Sequence, residues 1–227
     1  MSDQARFADR RDAGRRLAAM LSAYAGREDV VVLGLPRGGV PVAYEVAQAL
    51  DAPLDVFLVR KLGVPGHEEL AMGAIASGGV MVLNDDVVAA TGIAPPEIEA
   101  VAARELETLR HQETKYRGER PPVDLRNRTA IVVDDGLATG ATMRAAVSAL
   151  RGLGVRSIAV AVPTAPRETC EALRRLVDEV VCATTPDPFM AVGLWYRNFA
   201  PVGDDHVREL LGAASAAERP DEEDHWI

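Results

Sequence analysis

The sequence of 227 residues predicts an α/β fold, in which a mostly parallel sheet is flanked by helices and carries a small hood or lid. Short, continuous apolar runs alternate with stretches of helical spacing, which is typical of parallel strands buried on both faces. The composition agrees, because 48% of the residues are hydrophobic and only 4% are aromatic. A chain of this length can bury a substantial core of its own.

Apolar spacing predicts the elements of the first half. Near-helical spacing predicts an opening amphipathic helix from about Phe7 to Gly26. The next elements are, in order, a strand at 30–35 (VVVLGL), a helix at 42–50 and a strand at 54–59 (LDVFLV). Residues 61–86 predict a loop and then a small hairpin around IASGGVMVL, and a Pro-Pro pair starts a long helix over 95–116.

The alternation is clearer in the second half. Its predicted elements are a strand at 129–133 (TAIVV), a helix at 141–151, a strand at 157–163 (SIAVAVP), a helix at 167–177 and a strand at 179–184 (EVVCAT). From Gly212 the chain is Ala-rich and then acidic (ERPDEED). We therefore expect a single domain over 1–212 and an acidic C-terminal tail over 213–227.

Charge and segment composition exclude several classes of function. The net charge of −9 gives no electrostatic footprint for nucleic acid. The arginine-rich stretch RRDAGRR (10–16) interrupts any signal-peptide core. No run approaches the roughly 18 apolar residues of a membrane span. The two cysteines form no CxxC pair. We therefore expect a cytoplasmic protein with no nucleic-acid or membrane partner.

The most informative stretch is VVDDGLATGAT (132–142). Asp134 and Asp135 follow a predicted parallel strand, at the end where such sheets bind ligands. The small residues after them lead into a helix, so backbone N–H groups and the hydroxyls of Thr139 and Thr142 can hold an anion. The two carboxylates suit vicinal hydroxyls. The stretch predicts the polar anatomy of a ribose 5-phosphate site, and an ordinary turn with Asp and Thr as caps is the alternative.

Over its whole length this stretch resembles the motif with which type I phosphoribosyltransferases bind phosphoribosyl pyrophosphate (PRPP). The resemblance covers roughly 30–202 and implies the fold of that family; the chain looks similar to uncharacterised bacterial proteins with this domain. It implies that Asp134 and Asp135 hold the ribose 2- and 3-hydroxyls. The 5-phosphate site that it implies consists of Ala138, Thr139, Gly140, Ala141 and Thr142.

Two further stretches carry cations at predicted strand ends. In GLPRGGVPVA (34–43), a guanidinium and bare backbone amides can reach an anion, although a solvated Gly-rich turn is the alternative. VRKLGVPG (59–66) is either part of the same site or a solvated strand end. The resemblance implies a pyrophosphate site and, after it, a mobile loop at about 64–75. The implied pyrophosphate residues are Arg37, Gly38, Arg60 and Lys61.

The segment 184–202 follows the last predicted strand and is rich in aromatic residues. A flat base could stack on such rings. The resemblance implies that residues 184–212 and 1–29 form a hood over the acceptor, with Trp195 and Tyr196 as candidate contacts; packing of the lid is the alternative for Trp195 and Phe199. Ala138 stands where enzymes for 6-oxopurines carry a third acid, so the resemblance argues against a hypoxanthine or guanine acceptor.

The resemblance implies transfer of the 5-phosphoribosyl group from PRPP to a nitrogenous base or related nitrogen acceptor, with release of pyrophosphate. Arg37, Lys61 and Asp135 would act by positioning and charge stabilisation, because this displacement needs no protein nucleophile. Mg²⁺ would be carried with PRPP and have no direct protein ligand. We expect a homodimer. The alternative function is a non-catalytic regulatory protein that senses PRPP or a nucleotide.

Overall fold

The computed structural model describes residues 6–217. The strands are β1 (Val30–Gly34), β2 (Leu54–Val56), β3 (Val59–Val64), β4 (His67–Ala76), β5 (Met81–Leu83), β6 (Thr129–Val133), β7 (Ser157–Thr164) and β8 (Glu179–Thr184). The helices are α1 (Arg10–Met20), α2 (Gly39–Leu50), α3 (Asp85–Thr91), α4 (Pro95–Arg117), α5 (Ala141–Gly152), α6 (Arg167–Arg174) and α7 (Asp204–Ala217). Single 3₁₀ turns cover Ser22–Tyr24, Ser77–Gly79 and Val192–Trp195.

Five strands form a parallel sheet in the order β2-β1-β6-β7-β8, which confirms the predicted fold class. From β1 the chain passes through α2 to β2 on one side, whereas from β6 it passes through α5 to β7 on the other. The strand order therefore reverses between β1 and β6. Open α/β sheets bind ligands beyond the carboxyl ends of their strands at such a reversal, which directs attention to the residues after Gly34 and Val133.

The strands are continuously apolar because helices cover both faces of the sheet. Val30 and Val32 pack with α1, α2 and α7, whereas Val31 and Leu33 pack with α5 and α6. The same alternation holds in β6, where all five residues are buried. Each strand thus contributes apolar side chains to two separate layers of the core, and a two-residue polar alternation would leave one layer unfilled.

The predicted strand at 54–59 is wrong, because the chain changes sheets within it. β2 ends at Val56, and β3 begins at Val59 in an antiparallel sheet of order β3-β4-β5. Phe57 and Leu58 connect the two sheets and are buried in opposite core layers, so the sequence stays apolar through the break. The segment 64–75, predicted as a loop, is the turn and most of β4; its mobility stays a prediction.

The helices differ from the prediction in several places, and α2 begins at Gly39, three residues before the predicted start. α1 ends at Met20 and leaves Phe7 outside it, and α6 ends at Arg174. The sequence analysis missed α3, although Asn84 caps its first turn and Gly92 ends it in the left-handed conformation. α7 continues to Ala217, five residues beyond the predicted domain boundary. Residues 218–227, most of the predicted acidic tail, lie outside the described residues.

Between residues 6 and 217, no helix is both long and apolar enough to cross a membrane.

The C-terminal helix α7 is part of the core, which predicts a measurable cost for truncating its side chains. Leu211 is 1% exposed and packs with α2 and α4 in one core layer. We expect Leu211→Ala to lower the free energy of unfolding by about 2–5 kcal/mol, measured by urea denaturation. Gly212→Ala is the control on the same helix, because a Cβ added there meets open space. This substitution should raise the free energy of unfolding by up to about 1 kcal/mol. A Leu211→Ala change below about 0.5 kcal/mol would contradict this packing.

Candidate functional site

The loop after β1 lies directly against the end of β6, at the reversal of strand order. The backbone N–H of Leu35 donates to the carbonyl of Val133 at 2.9 Å. A Cβ atom on Gly39 would lie 2.6 Å from that same carbonyl oxygen, and one on Gly38 would lie 1.9 Å from Oδ2 of Asp135. Only glycines allow this approach without displacing the neighbour. The structure therefore brings the predicted pyrophosphate loop and the two acids into contact.

The predicted phosphate loop (residues 138–142) is held from its outer side. Thr169 donates its hydroxyl to the carbonyl of Ala138 at 2.9 Å, and Arg144 Nη1 donates to the carbonyl of Thr139 at 2.7 Å. Gly140 has φ of 71° and is the N-cap of α5, while Ala141 N–H donates to Thr139 Oγ1 at 3.4 Å. The bonds from Thr169 and Arg144 fix the loop through its carbonyl oxygens, so they leave the helix N-terminal amides that would hold an anion unoccupied.

Two cavities meet at this loop. The first has a volume of about 380 Å³, and its polar lining consists of Arg37, Gln112, Tyr116, Thr142 and Asp204. The second has a volume of about 310 Å³, and its polar lining includes Lys61, Asn84, Thr142, Arg144 and Ser148. Val59 and Thr142 line both cavities. Their size is in the range of small-molecule sites, and each presents cations beside the phosphate loop.

Arg37 faces the N-terminus of α7. Its Nη1 lies 3.8 Å from Oδ1 of Asp204, which also accepts from the Tyr116 hydroxyl at 2.9 Å, and Oδ2 accepts from Lys115 Nζ at 2.7 Å. The bonds from Lys115 and Tyr116 lower the pKa of Asp204. Burial, with the bond to Asp204, raises the pKa of Tyr116 to about 12. At neutral pH this corner therefore holds one carboxylate between two cations.

Arg60 and Lys61, both predicted to bind pyrophosphate, lie on opposite faces of β3. Lys61 is exposed and lines the second cavity beside Thr142. Arg60 points to α4, where its Nε donates to Glu105 at 2.7 Å. Successive strand residues must alternate in this way, so the adjacency of the two cations in the sequence does not place both in one site. The structure brings Lys61 to the phosphate loop and does not bring Arg60 there.

The two acids have different surroundings. Oδ1 of Asp134 accepts the backbone N–H of Asp135 at 2.9 Å. Burial raises the pKa of Asp134 well above its ordinary range, and the neighbouring charge of Asp135 adds to the rise. Burial also raises the pKa of Asp135, against the opposing charge and hydrogen bonds of Arg10. Asp135, predicted to bind a ribose hydroxyl, is thus ion-paired within the protein.

Trp195 and Tyr196 are both buried, so neither offers an open ring face to an acceptor. The Tyr196 ring lies between Phe7 and Phe199, with centroid distances of 5.5 and 4.9 Å, and its hydroxyl donates to the carbonyl of Asp135 at 2.5 Å. Trp195 Nε1 has no hydrogen-bond partner among residues 6–217. Packing of the lid is therefore the arrangement found for Tyr196, and the acceptor contacts predicted for these two rings stay untested.

Three residues of this site were missed by the sequence analysis. Arg10 sits in an arginine-rich stretch that offers no sign of which side chain turns inward, and its partner Asp135 is 125 residues away. Lys115 and Asp204 belong to amphipathic helices, where an exposed charge is the default interpretation. The one available signal was the position of Asp204 at the start of a helix, where an acid is common.

Fold and site together define a doubly wound α/β protein with a crevice at its strand reversal, where two Gly-containing loops and two acids meet. Comparison with known families agrees. Residues 5–195 match the model of the phosphoribosyl transferase domain family. The chain belongs to this family, and the implied type I relationship is confirmed.

Three relatives illustrate the relationship. A Mycobacterium tuberculosis protein named provisionally as a phosphoribosyl transferase is 50% identical over 208 residues, which are 92% of this chain and 47% of that protein. The chain thus spans about half the length of this curated relative. The Chloroflexus aurantiacus "Bifunctional protein PyrR" is 32% identical over 120 residues, or 52% of this chain and 60% of that one. TT1426 from Thermus thermophilus, known from a crystal structure, is 45% identical in sequence. The two structures superpose with a TM-score of 0.80 over 91% of this chain and 97% of TT1426.

The raised pKa of Asp134 predicts that its charge destabilises the fold. A carboxyl whose folded pKa is raised binds its proton more tightly when folded, so stability is lost as the pH rises from the ordinary value of about 3.9 through the raised value. Asp134→Asn keeps the acceptor for the Asp135 N–H and removes the charge. We expect Asp134→Asn to unfold at higher urea than the wild type at about pH 7, with the difference vanishing near pH 4.

Asp135→Asn is the matched comparison: burial raises the pKa of Asp135 too, but its charge is paired with Arg10, so its gain in stability at about pH 7 should be smaller than that of Asp134→Asn. An Asp134→Asn variant that is less stable at neutral pH, or whose advantage does not depend on pH, contradicts the prediction.

Proposed function

We propose that this chain is a phosphoribosyltransferase that moves the 5-phosphoribosyl group from PRPP to a nitrogen acceptor and releases pyrophosphate. The observation that carries the proposal is the contact between the PRGG loop (residues 36–39) and the two acids of VVDDGLATGAT. It supports the proposal because groups suited to a phosphate, to a diol and to a second anion would then surround one crevice. Membership of the family supports the same reaction.

In this proposal each part of PRPP meets a group suited to its charge. Backbone N–H groups of residues 138–142 hold the 5-phosphate at the start of α5. Asp134 accepts hydrogen bonds from the ribose hydroxyls, and Oδ1 of Asp135 is available as a second acceptor. Arg37 and Lys61 stabilise the charge that develops on the departing pyrophosphate. No protein nucleophile is needed, so positioning and electrostatics account for the catalysis.

The donor set fits a magnesium ion that arrives with PRPP. Mg²⁺ keeps several waters and binds substrate phosphates rather than a cage of protein ligands, so the ion would be carried on the oxygens of PRPP, while Asp134 and Asp135 stay available to the ribose hydroxyls. No group of three or more His, Cys, Asp or Glu side chains that could cage a metal occurs in the part of the chain from 6 to 217. When bound with the donor, the ion would supply positive charge for the leaving group.

The direct test is turnover. The protein is incubated with PRPP and Mg²⁺ against a panel of nitrogenous bases and amines, and pyrophosphate release is followed. We expect release that requires one acceptor. Binding of PRPP without release for any acceptor would instead support the alternative of a non-catalytic PRPP sensor, and the absence of PRPP binding would contradict both. The acceptor, a homodimeric state, a cytoplasmic location and a role in nucleotide metabolism stay predictions.

A neighbouring pair of cations provides a sharper test of the pyrophosphate site. We expect Lys61→Ala to weaken PRPP binding about tenfold, since one charge-assisted contact to a phosphate is worth about 1.4 kcal/mol. Arg60→Ala removes the same charge one residue earlier, but Arg60 is paired with Glu105 on the other face of β3. It should leave PRPP affinity unchanged. Calorimetric titration of both variants checks the prediction, and equal losses would contradict the assignment of Lys61.

A further inference from the structure

Arg10, the first residue of α1, is an almost fully buried cation at the candidate site. Its side chain is 11% exposed, whereas those of Arg11, Arg15 and Arg16 are at least 50% exposed. Nε and Nη2 of Arg10 both lie 2.8 Å from Oδ2 of Asp135, and Nη1 donates to the carbonyl of Ala200 at 2.8 Å. The guanidinium also stacks on the ring of Phe199, 3.9 Å from its centroid. All three guanidinium nitrogens of Arg10 therefore have a partner within the protein, and one face of the group is covered by a ring.

Asp135 is fixed in turn. Oδ2 receives both bonds from Arg10 and packs against Gly38. Its carbonyl accepts from the Tyr196 hydroxyl, and its N–H donates to Asp134. Neither bond from Arg10 ends on Oδ1, so the carboxylate keeps one oxygen for a ligand in an orientation set by the protein. Groups held in this way need no reorganisation when a ligand binds.

The charges around the two acids explain why a cation is needed there. Two adjacent carboxylates that are partly withdrawn from water repel each other, and each favours the protonated form of the other. The titratable and charged groups that face them are Arg10 from α1 and Tyr196 from the hood segment. The loop after β1 presents the backbone of Gly38 and Gly39, and the Arg37 side chain turns to Asp204. Arg10 therefore supplies the positive charge.

We propose that Arg10 is a positioning residue of the ribose site, which fixes Asp135, cancels its charge and thereby favours the ionised form of Asp134 as the acceptor for a sugar hydroxyl. The inference rests on the proposed function, because it assumes that these acids bind the ribose of PRPP. Since Arg10 belongs to α1, the ribose site is complete only when this helix is docked against the segment 196–200.

The test measures PRPP–Mg²⁺ binding by calorimetry from about pH 6 to about pH 9, together with the urea midpoint of each variant. Arg10→Gln removes the charge and should raise the pKa of Asp134 by about one unit. We therefore expect at least about a tenfold loss of PRPP affinity at pH 6, and this loss should shrink as the pH rises. Arg10→Lys should keep more of the affinity because it keeps the charge. Arg11→Gln, which alters an exposed ion pair with Glu45, should match the wild type.

A double variant keeps the test decisive even where Arg10→Gln does not fold. Once Asp135 is Asn, no second charge remains to be cancelled. Replacing Arg10 by Gln in that background should therefore cost less PRPP affinity than in the wild-type background, because only the direct attraction between Arg10 and Asp134 remains to be lost. A loss in the Asp135→Asn background as large as in the wild-type background overturns the inference.

Two other outcomes separate this inference from the proposed function. If the wild type binds PRPP and Arg10→Gln lowers its affinity by the same factor at every pH, Arg10 is only a packing residue, and the proposed function stands. If the wild type does not bind PRPP at any pH, the proposed function and the inference are both overturned.

Discussion

The contact between the loop after β1 and the end of β6 is the constraint on which the rest of the site depends. It occurs because β1 and β6 are neighbours in the sheet while the chain leaves them in opposite directions. Gly39 lets the two backbones approach to a distance that no side chain would allow, and Gly38 leaves room for the carboxylate of Asp135. The anion-binding groups of one loop and the acids of the other thereby share a crevice, although about 100 residues separate them in the sequence.

The hood is built on the same acids. Phe7 pairs with Tyr196 as an isolated parallel bridge, and the bond from the Tyr196 hydroxyl reaches the carbonyl of Asp135. Arg10 then joins α1 to the side chain of the same aspartate. Arg10 from α1 and Tyr196 from the hood segment thus both contact Asp135, in the loop after β6. Asp135 consequently serves as a structural junction as well as a candidate ligand-binding group.

The sequence predicts local features of this protein better than it predicts long-range ones. The parallel strands and the crevice follow from apolar runs and small-residue turns, each readable within about ten residues. The break between β2 and β3 was not readable, because Phe57 and Leu58 stay apolar while they pass from one sheet to the other. Arg60 and Lys61 had the same predicted role, but the two side chains point to opposite faces of β3, and only Lys61 lines the cavity beside Thr142. The burial of Arg10 could not be predicted, because its partners Asp135 and Phe199 lie far from it in the sequence.

The acids of the site share one property that sequence patterns do not convey. Asp135 is balanced by Arg10, and Asp204 is balanced by Lys115 with Arg37 nearby, so each acid has a cation supplied from another element. Asp134 alone among these three has a pKa raised by both burial and a like charge. A protein gains no stability from holding such a group. Under the proposed function this cost has a reason, because the hydroxyls of a ribose require a strong acceptor, and the first acid of VVDDGLATGAT is then the main candidate for that contact.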